Sequence, residues 1–302
     1  MGLHFWKEVM KTLEGLRPES VIRESETPFS AALVGSREEV SVMEDWLVPP
    51  KLNPAEQARA RQALFSMPLP LSPGDQAMLQ RMDVRLAGPS AMGSGEMRAT
   101  ARDYVLFDAE QPQTAVASTL RSRPELSLAL ARTWIPFRQP VVDGIVSRIA
   151  KENAMFAIIS ALPNVVPSPI ELPWAVGEFA SDTVVLTANQ MRMALMVAAA
   201  SGASVGFGDQ KGQVLSILGS AFGLRAIARE LAGKVPAGGG LVIKGLIAYA
   251  GTYTLGAGLA RWHRTGRRPT LRERREAYRK AYLAGRETVE GLARKALTAG
   301  RQ

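Results

Sequence analysis

The chain has no cysteine and only two histidines, His4 and His263, among its 302 residues. Without cysteine it can form no disulfide, no thiolate metal site and no cysteine nucleophile, and such a composition suits a reducing compartment. Two histidines argue against a histidine-based metal centre and against a Ser-His-Asp triad. The sequence therefore predicts no catalytic residue, no metal and no cofactor, and it favours a protein that is not an enzyme.

Long uninterrupted apolar runs are also missing. The longest clean run, residues 245–260, is shorter than the roughly 20 residues that a helix needs to cross a bilayer. Lys244 and Arg261 flank this run and could reach the membrane interface from its ends. The first residues, MGLHFWKEVMKTLEGL, mix apolar and charged side chains, so we expect no signal peptide there. The sequence is therefore compatible with insertion of the apolar segments into a membrane and with association at its surface.

Positive charge is concentrated at the C-terminal end of the chain. In total, 37 Lys and Arg stand against 28 Asp and Glu, which gives a formal net charge of +9. Residues 261–302 hold 13 Lys or Arg and four Glu, so this segment alone carries +9 and residues 1–260 sum to zero. The basic character of the protein therefore belongs to its tail.

Apolar segments dominate the middle of the chain, over residues 138–262. They are NAMFAIISALPNVV, TVVLTANQMRMALMVAAASG, GQVLSILGSAFGLRAIA and GLVIKGLIAYAGTYTLGAGLA, and prolines and glycines separate them. The first belongs to a helix predicted over residues 141–162, preceded by a turn at TWIPFRQP. We expect four helices that form a compact bundle or a set of membrane-embedded hairpins.

Small and charged residues mark positions where these helices would meet. Gly219, Gly223 and Gly256 would let helix backbones approach closely. The charged residues within or beside the apolar segments include Glu178, Asp182, Arg192, Arg225 and Lys244. Because burying a lone charge is costly, we expect Arg192 to pair with Glu178 or Asp182 and to fix the register of the bundle.

The first 137 residues predict a small α/β domain that follows an amphipathic helix over residues 3–16. An apolar strand over residues 29–34 ends at Gly35, and Ser36 with Glu39 forms the S-x-x-E capping box of the next helix. Residues 54–82 predict two short helices and residues 87–99 a loop. Residues 113–132 have a helical pattern that is broken at Pro124.

A second strand, over residues 104–107, ends at Asp108. An aspartate at the end of an apolar strand occupies the place of a magnesium-binding carboxylate in nucleotide-hydrolysing domains. The strand, glycine turn and helix around Gly35 are the setting of a phosphate loop, but the G-x-x-x-x-G-K-[ST] signature is absent there. Gly35, Ser36 and Asp108 are the candidates for a nucleotide site assembled without that loop. For Asp108 an ordinary role at the end of a strand is the favoured interpretation.

Residues 263–302 predict a basic helical tail, in which Thr270 and Glu273 cap a final helix. Three interpretations compete: a solvated helix packed through its tyrosines, a segment held against anionic lipid, or a nucleic-acid-binding helix. The position of the tail after the last apolar segment favours lipid. The predicted lipid contacts are Arg261, Arg264, Arg267, Arg268, Arg272 and Arg275.

Several phrases between residues 138 and 262 resemble the YcjF-type domain of unknown function. They are FRQPVVDGIVSRIAKENAMFAIISALPNVVP, EFASDTVVLTANQMRMALMVAAASG and DQKGQVLSILGSAFGLRAIARELAGKVPAGGGLVIKGLIAYAGTYTLG. That family occurs beside or behind Era-like GTPase domains in bacteria and is regarded as membrane-associated. The resemblance implies that residues 1–137 are a degenerate GTPase-like domain. It transfers no catalytic residue, since both the phosphate loop and an N-K-x-D motif are missing.

Together these patterns predict a mainly α protein with three parts. A degenerate α/β domain (1–137) precedes an apolar helical bundle (138–262) and a basic tail (263–302). The leading hypothesis is a non-enzymatic adaptor or regulator at the cytoplasmic face of the bacterial inner membrane, with a GTPase or another protein as a possible partner. The alternatives are a nucleotide-binding regulator and a soluble cytoplasmic protein that binds nucleic acid through its tail.

Overall fold

The computed structural model describes residues 18–93, 104–162, 182–206 and 240–299. The chain divides into two compact units. Residues 22–141 form one, here called the α/β unit, and the described residues from Val142 onward form the other, with residues 18–21 assigned to it. The boundary therefore falls at Val141, whereas the sequence placed it after residue 137.

The α/β unit is built on a parallel sheet of four strands in the order β2-β1-β3-β4. The strands are β1 Ala31–Gly35, β2 Leu64–Pro68, β3 Val84–Ala87 and β4 Val105–Leu106. Ala31 lies opposite Leu64 on one side and Val84 on the other, which fixes the register of the three longer strands. All five residues of β1 are buried, as expected for a central parallel strand covered on both faces.

The helices of this part of the chain follow the strand order. Helix α1 Pro18–Ser25 precedes β1. The helices between strands are α2 Arg37–Leu47, α3 Pro54–Gln62, α4 Pro73–Leu79 and α5 Pro89–Gly93, and α6 Pro112–Ser122 and α7 Ser127–Thr133 follow β4. Ser36, Asn53 and Ser72 cap α2, α3 and α4 with side-chain hydrogen bonds. A short 3₁₀ turn at Pro124–Leu126 separates α6 from α7, where the sequence predicted a break.

Aromatic side chains fill the interior of this unit around Trp134. Trp134 is fully buried, and its Nε1–H donates to the carbonyl oxygen of Ala60 at 3.2 Å. Phe29 meets the Trp134 ring edge-on at 5.0 Å between ring centroids, and Phe137 lies 6.0 Å away. Since a buried indole needs a partner for its N–H, this hydrogen bond places α3 relative to Trp134.

The helical unit begins within a long helix, α8 Ile135–Ile159. The turn predicted over residues 133–140 is wrong, because this helix starts at Ile135 and continues through Pro140. A proline inside a helix removes one backbone hydrogen bond and disfavours the helical conformation just before it, which is why the sequence predicted a break. Pro140 is the sixth residue of this helix, so the bond that is lost is the one that an N–H there would donate to the carbonyl of Pro136.

The remaining described helices are α9 Asp182–Ala200, α10 Gly240–Thr265, α11 Leu271–Ala284 and α12 Arg286–Ala299. Helix α10 contacts α9, α11 and α12. A Cβ atom added at Gly256 would lie 2.6 Å from Val146 and 2.9 Å from the sulfur of Met193, so α8, α9 and α10 meet closely there. Gly245 makes a similar approach, with a hypothetical Cβ 2.8 Å from Val289 and 2.9 Å from Ile158.

The tail forms two helices instead of the single helix predicted from residue 270. The chain turns at Gly285, where an added Cβ would lie 2.5 Å from the ring of Tyr249 on α10. A side chain at this position would displace the ring, so glycine allows the junction of α11 and α12 to lie against α10. Tyr278 and Val289 are fully buried in this packing.

The structure confirms a mainly helical protein with a small N-terminal α/β part and a helical bundle. Strands β2 and β3 were not predicted: β2 is largely accessible and ends in a proline, and Arg85 interrupts β3. The helix predicted over residues 3–16 and the apolar segment over residues 212–228 lie outside the described residues. Among the described helices, we find none with both the length and the apolar character needed to cross a membrane.

Candidate functional site

The first candidate site lies at the edge of the sheet where β1 and β3 end. In the order β2-β1-β3-β4, the connection after β1 leads to β2 on one side, and the connection after β3 leads to β4 on the other side. The two connections therefore diverge between β1 and β3. Ligands of open α/β sheets commonly bind at such a point, beyond the carboxyl ends of the strands. Here the two loops that meet begin with Gly35-Ser36 and Gly88-Pro89-Ser90.

The carboxylate of Glu39, from the first turn of α2, occupies this edge. Its Oε2 accepts the backbone N–H of Ser36 at 2.8 Å, and its Oε1 accepts the backbone N–H of Ser90 at 3.0 Å. The Ser90 hydroxyl also donates to Oε2, and the backbone N–H of Ser36 reaches the Ser90 hydroxyl oxygen at 2.8 Å. In return, the backbone N–H of Glu39 donates to the Ser36 hydroxyl at 3.2 Å, which completes the predicted capping box.

Two glycines make room for this carboxylate. A Cβ at Gly35 would lie 2.5 Å from Glu39 Oε2, and one at Gly88 would lie 2.6 Å from the same atom. Burial raises the pKa of Glu39, but hydrogen bonds from Ser90 and Ser36 lower it by more, so the pKa lies below its ordinary value. Glu39 is therefore a carboxylate at neutral pH, and a negative group already fills the place between the loops.

The structure does not bring the three nucleotide-site candidates together. Gly35 and Ser36 belong to the Glu39 cluster, whereas Asp108 follows β4, which β3 separates from β1. The ends of β1 and β4 are therefore two strand spacings apart, which is about 10 Å. The carboxylate of Asp108 accepts the backbone N–H of Glu110 at 2.9 Å, which is the turn-forming bond of an ordinary residue after a strand.

The second candidate site is the junction of α10 and α11. Helix α10 continues to Thr265, Gly266 turns the chain with φ of +68°, and Thr270 caps α11. A positive φ is strained for most residues, so glycine suits this turn. Five arginines around the turn are exposed and are called the arginine corner below: Arg264, Arg267, Arg268, Arg272 and Arg275.

Arg261, the sixth predicted lipid contact, is engaged within the junction itself. Its Nη1 lies 2.7 Å from Oε1 of Glu273, and hydrogen bonds from Thr270 and Arg261 lower the pKa of Glu273 to about 2. This pair links the end of α10 to the start of α11. Glu273 is the single acidic residue between Arg261 and Arg275, so its pairing with Arg261 leaves the corner strongly positive.

The corner also carries an aromatic surface. The guanidinium of Arg268 lies 4.5 Å from the ring centroid of Trp262, and His263 stacks beside that ring at 6.3 Å. Burial lowers the pKa of His263, so this imidazole adds no positive charge at neutral pH. Arg272 forms an exposed pair with Glu276 at 3.1 Å, which solvent screens strongly.

Polar side chains buried between α8, α9 and α10 were not predicted as a group. Asn153 donates to Thr252 at 2.8 Å and accepts from Asn189 at 2.7 Å, and all three residues are essentially inaccessible. Gln190 also donates to Thr252, at 3.3 Å. Two asparagines inside apolar segments were the available signal, since a buried amide needs a partner on another helix.

The charged residues predicted inside the bundle lie in different settings. Arg192 is paired with Glu152 at 3.7 Å, and burial raises the pKa of Glu152 although Arg192 and Arg148 act to lower it. Lys244 is exposed, so it does not lie in the core. Glu178, Gly219, Gly223 and the side chain of Asp182 lie outside the described residues.

Among the described residues there is no group of three or more His, Cys, Asp or Glu side chains that could hold a metal ion. The chain matches no protein-family model, no curated protein and no solved structure.

Proposed function

We propose that this protein is a non-enzymatic adaptor that binds the surface of anionic membranes through the arginine corner. The observation that carries the proposal is the junction of α10 and α11, where five exposed arginines surround a turn and one further arginine is already neutralised. Each basic residue near an anionic surface contributes about 1 kcal/mol to binding.

Two features of the corner fit a lipid surface. Arg side chains donate several hydrogen bonds in a planar fork that matches phosphate oxygens, and five of them around one turn can engage several headgroups. Trp262 lies beside them under Arg268, and tryptophan is enriched at the level of lipid headgroups. The proposed location is accordingly the cytoplasmic face of a bacterial inner membrane, with the α/β unit available to a protein partner.

A nucleotide-binding role has less support in the geometry. The Ser36 and Ser90 backbone N–H groups that could receive a phosphate already bind the Glu39 carboxylate. A titration of the full-length protein with GTP and with ATP tests this alternative, and saturable heat with either nucleotide would favour it over the adaptor.

The proposal is tested by co-sedimentation of the full-length protein with vesicles. One set contains phosphatidylcholine alone, and the other contains about one third phosphatidylglycerol. We expect binding to the anionic vesicles only, with release at about 0.5 M salt. Arg264→Gln, Arg267→Gln and Arg275→Gln combined should weaken binding on the order of 100-fold, since three contributions of about 1 kcal/mol are lost.

A matched control removes the same charge elsewhere. Arg37, Arg61 and Arg81 are exposed arginines of the α/β unit, and their replacement by glutamine should leave vesicle binding nearly unchanged. Equal loss in both variants would mean that net charge alone is responsible and would contradict a defined corner. A salt-sensitive gel shift with RNA, without vesicle binding, would mean that the arginine corner binds nucleic acid instead of lipid.

A further inference from the structure

A cavity of about 400 Å³ opens at the opposite edge of the sheet from Glu39. It lies where the segments that enter β1 and β2 meet the end of α7, and every residue that lines it belongs to the α/β unit. A volume of this size is within the range of small-molecule sites, roughly 300–1,000 Å³. Neither candidate site described above uses any of its lining residues.

Two arginines give the cavity a positive charge. Arg59 is exposed on α3, and Arg132, on α7, has a side chain that is only 12% accessible. Both line the cavity with one acidic residue, Glu26, whose carboxylate lies 3.4 Å from Nη2 of Arg132. Burial, followed by the charge of Arg59, lowers the pKa of Arg132, so the two guanidinium groups repel each other across this space.

Apolar and hydroxyl groups complete the lining. The ring of Phe29 forms one wall and is held edge-on against the buried Trp134, with an interplanar angle of 86°. Trp134, against which this ring packs, is in turn held by its hydrogen bond to Ala60. Ser25 and Thr27 also line the cavity, and their hydroxyls donate to the backbone carbonyls of Ile22 and Arg23 at 3.0 and 2.9 Å. A charged end and a flat apolar end are thus available to one small ligand.

We propose that this cavity binds a small organic oxyanion, with its carboxylate or phosphate group at Arg59 and Arg132 and its apolar part against Phe29. Guanidinium groups bind both kinds of anion through paired, charge-assisted hydrogen bonds, and two of them can share one anion. A bound anion also removes the repulsion between the two arginines.

When the cavity is empty, the carboxylate of Glu26 pairs with Arg132, where the anionic group of the ligand would bind. Its side chain is 56% accessible, so it can turn away from Arg132 at little cost and leave that guanidinium to the incoming anion. A competing carboxylate of this kind weakens ligand binding, because the ligand must displace it. Removing its charge should therefore tighten binding, whereas removing an arginine should weaken it.

Isothermal titration calorimetry of the full-length protein tests the proposal with phenyl phosphate, benzoate and inorganic phosphate. We expect saturable binding of one of the aromatic anions, tighter than that of inorganic phosphate because of the Phe29 wall. Whether phenyl phosphate or benzoate binds more tightly decides between a phosphate and a carboxylate ligand. No saturable heat with any of the three would overturn the proposal.

Substitutions distinguish the cavity from general charge. Arg59→Gln should weaken binding about tenfold, while Arg61→Gln, two residues away on the same helix and outside the cavity, should leave it unchanged. Glu26→Gln should tighten binding severalfold, and Glu24→Gln is its control on α1. Equal effects of Arg59→Gln and Arg61→Gln, or weaker binding to Glu26→Gln, would contradict the assigned site.

Discussion

The two units of this protein use polar side chains in opposite places. In the α/β unit the polar cluster of Ser36, Glu39 and Ser90 lies at the rim of the sheet, where strands end, while the interior around Trp134 is aromatic and aliphatic. In the helical unit the cluster of Asn153, Asn189 and Thr252 lies inside, between three helices. One unit is polar at its edge, and the other is polar at its centre.

The difference follows from how each architecture fixes its register. A parallel sheet specifies the alignment of its strands through backbone hydrogen bonds, so its interior needs no polar group. Helices satisfy their own backbones and can slide past one another, particularly where the contacts are small residues such as Gly245 and Gly256. A buried amide that reaches a neighbouring helix specifies one alignment, a role attested for single asparagines in coiled coils.

The largest effect is expected from Trp134→Ala, which removes the centre of the α/β core. The change leaves a large cavity and an unpaired carbonyl at Ala60, and we expect a loss of about 3–5 kcal/mol. Urea unfolding measures the loss, and hydrogen exchange locates it. Trp262→Ala, at a partly accessible site in the helical unit, is the control and should cost much less. Uniform loss of protection across both units would mean that their stabilities are coupled.

A smaller loss, about 1–3 kcal/mol, is expected from Asn153→Ala. The substitution leaves a buried amide N–H of Asn189 without its acceptor and removes one of the two amide donors to the Thr252 hydroxyl. A double-mutant cycle with Asn189→Ala measures the interaction between the two amides, and we expect a coupling of about 0.5–3 kcal/mol. Additive effects of the two substitutions would contradict a shared polar network and would weaken the contrast between the units.

The smallest effects concern pH, where the two units should respond in opposite directions. The pKa of Glu39 is lowered in the folded protein from an ordinary value of 4.5, so its contribution to stability is present above pH 4.5 and is lost as the pH falls through the folded pKa. The pKa of Glu152 is raised from 4.5, so its contribution is present below pH 4.5 and is lost as the pH rises through the folded pKa.

Hydrogen exchange of peptides from α2 and α8, corrected for intrinsic rates and measured between about pH 4 and pH 7, tests this contrast. Relative to the wild type, Glu39→Gln should lose protection in α2 mainly toward neutral pH. Glu152→Gln should gain protection in α8 relative to the wild type as the pH rises, whatever constant offset results from replacing the protonated carboxyl group by an amide. Parallel pH responses of the two variants would contradict the opposite pKa shifts.

The elements that the sequence predicts well are those with a local cause. The capping box of Ser36 and Glu39 and the break at Pro124 depend on neighbouring residues, and the structure has both. Strands β2 and β3 depend on pairing with β1, which no local pattern reveals, and the helix through Pro140 depends on contacts that outweigh propensity.

In the candidate sites, too, features with a local cause could be predicted, and features that depend on distant residues could not. The positive charge of the tail could be counted from the sequence, but the pairing of Arg261 with Glu273 depends on the turn at Gly266. The role of Glu39 at the sheet edge could not be predicted, because Ser90 is 51 residues away and approaches only once β3 lies beside β1. The cavity at Arg59 and Arg132 also joins segments that are distant in sequence.

The outer strands of the sheet have a consequence for how the protein behaves at high concentration. An exposed strand edge is a template on which a second chain can add its own strand, and natural proteins limit this by making edge strands short or by placing proline in them. Strand β4 is two residues long, and β2 ends in Pro68, which has no N–H to donate. Both edges of the sheet therefore offer little to an incoming strand, and self-association by sheet extension is disfavoured.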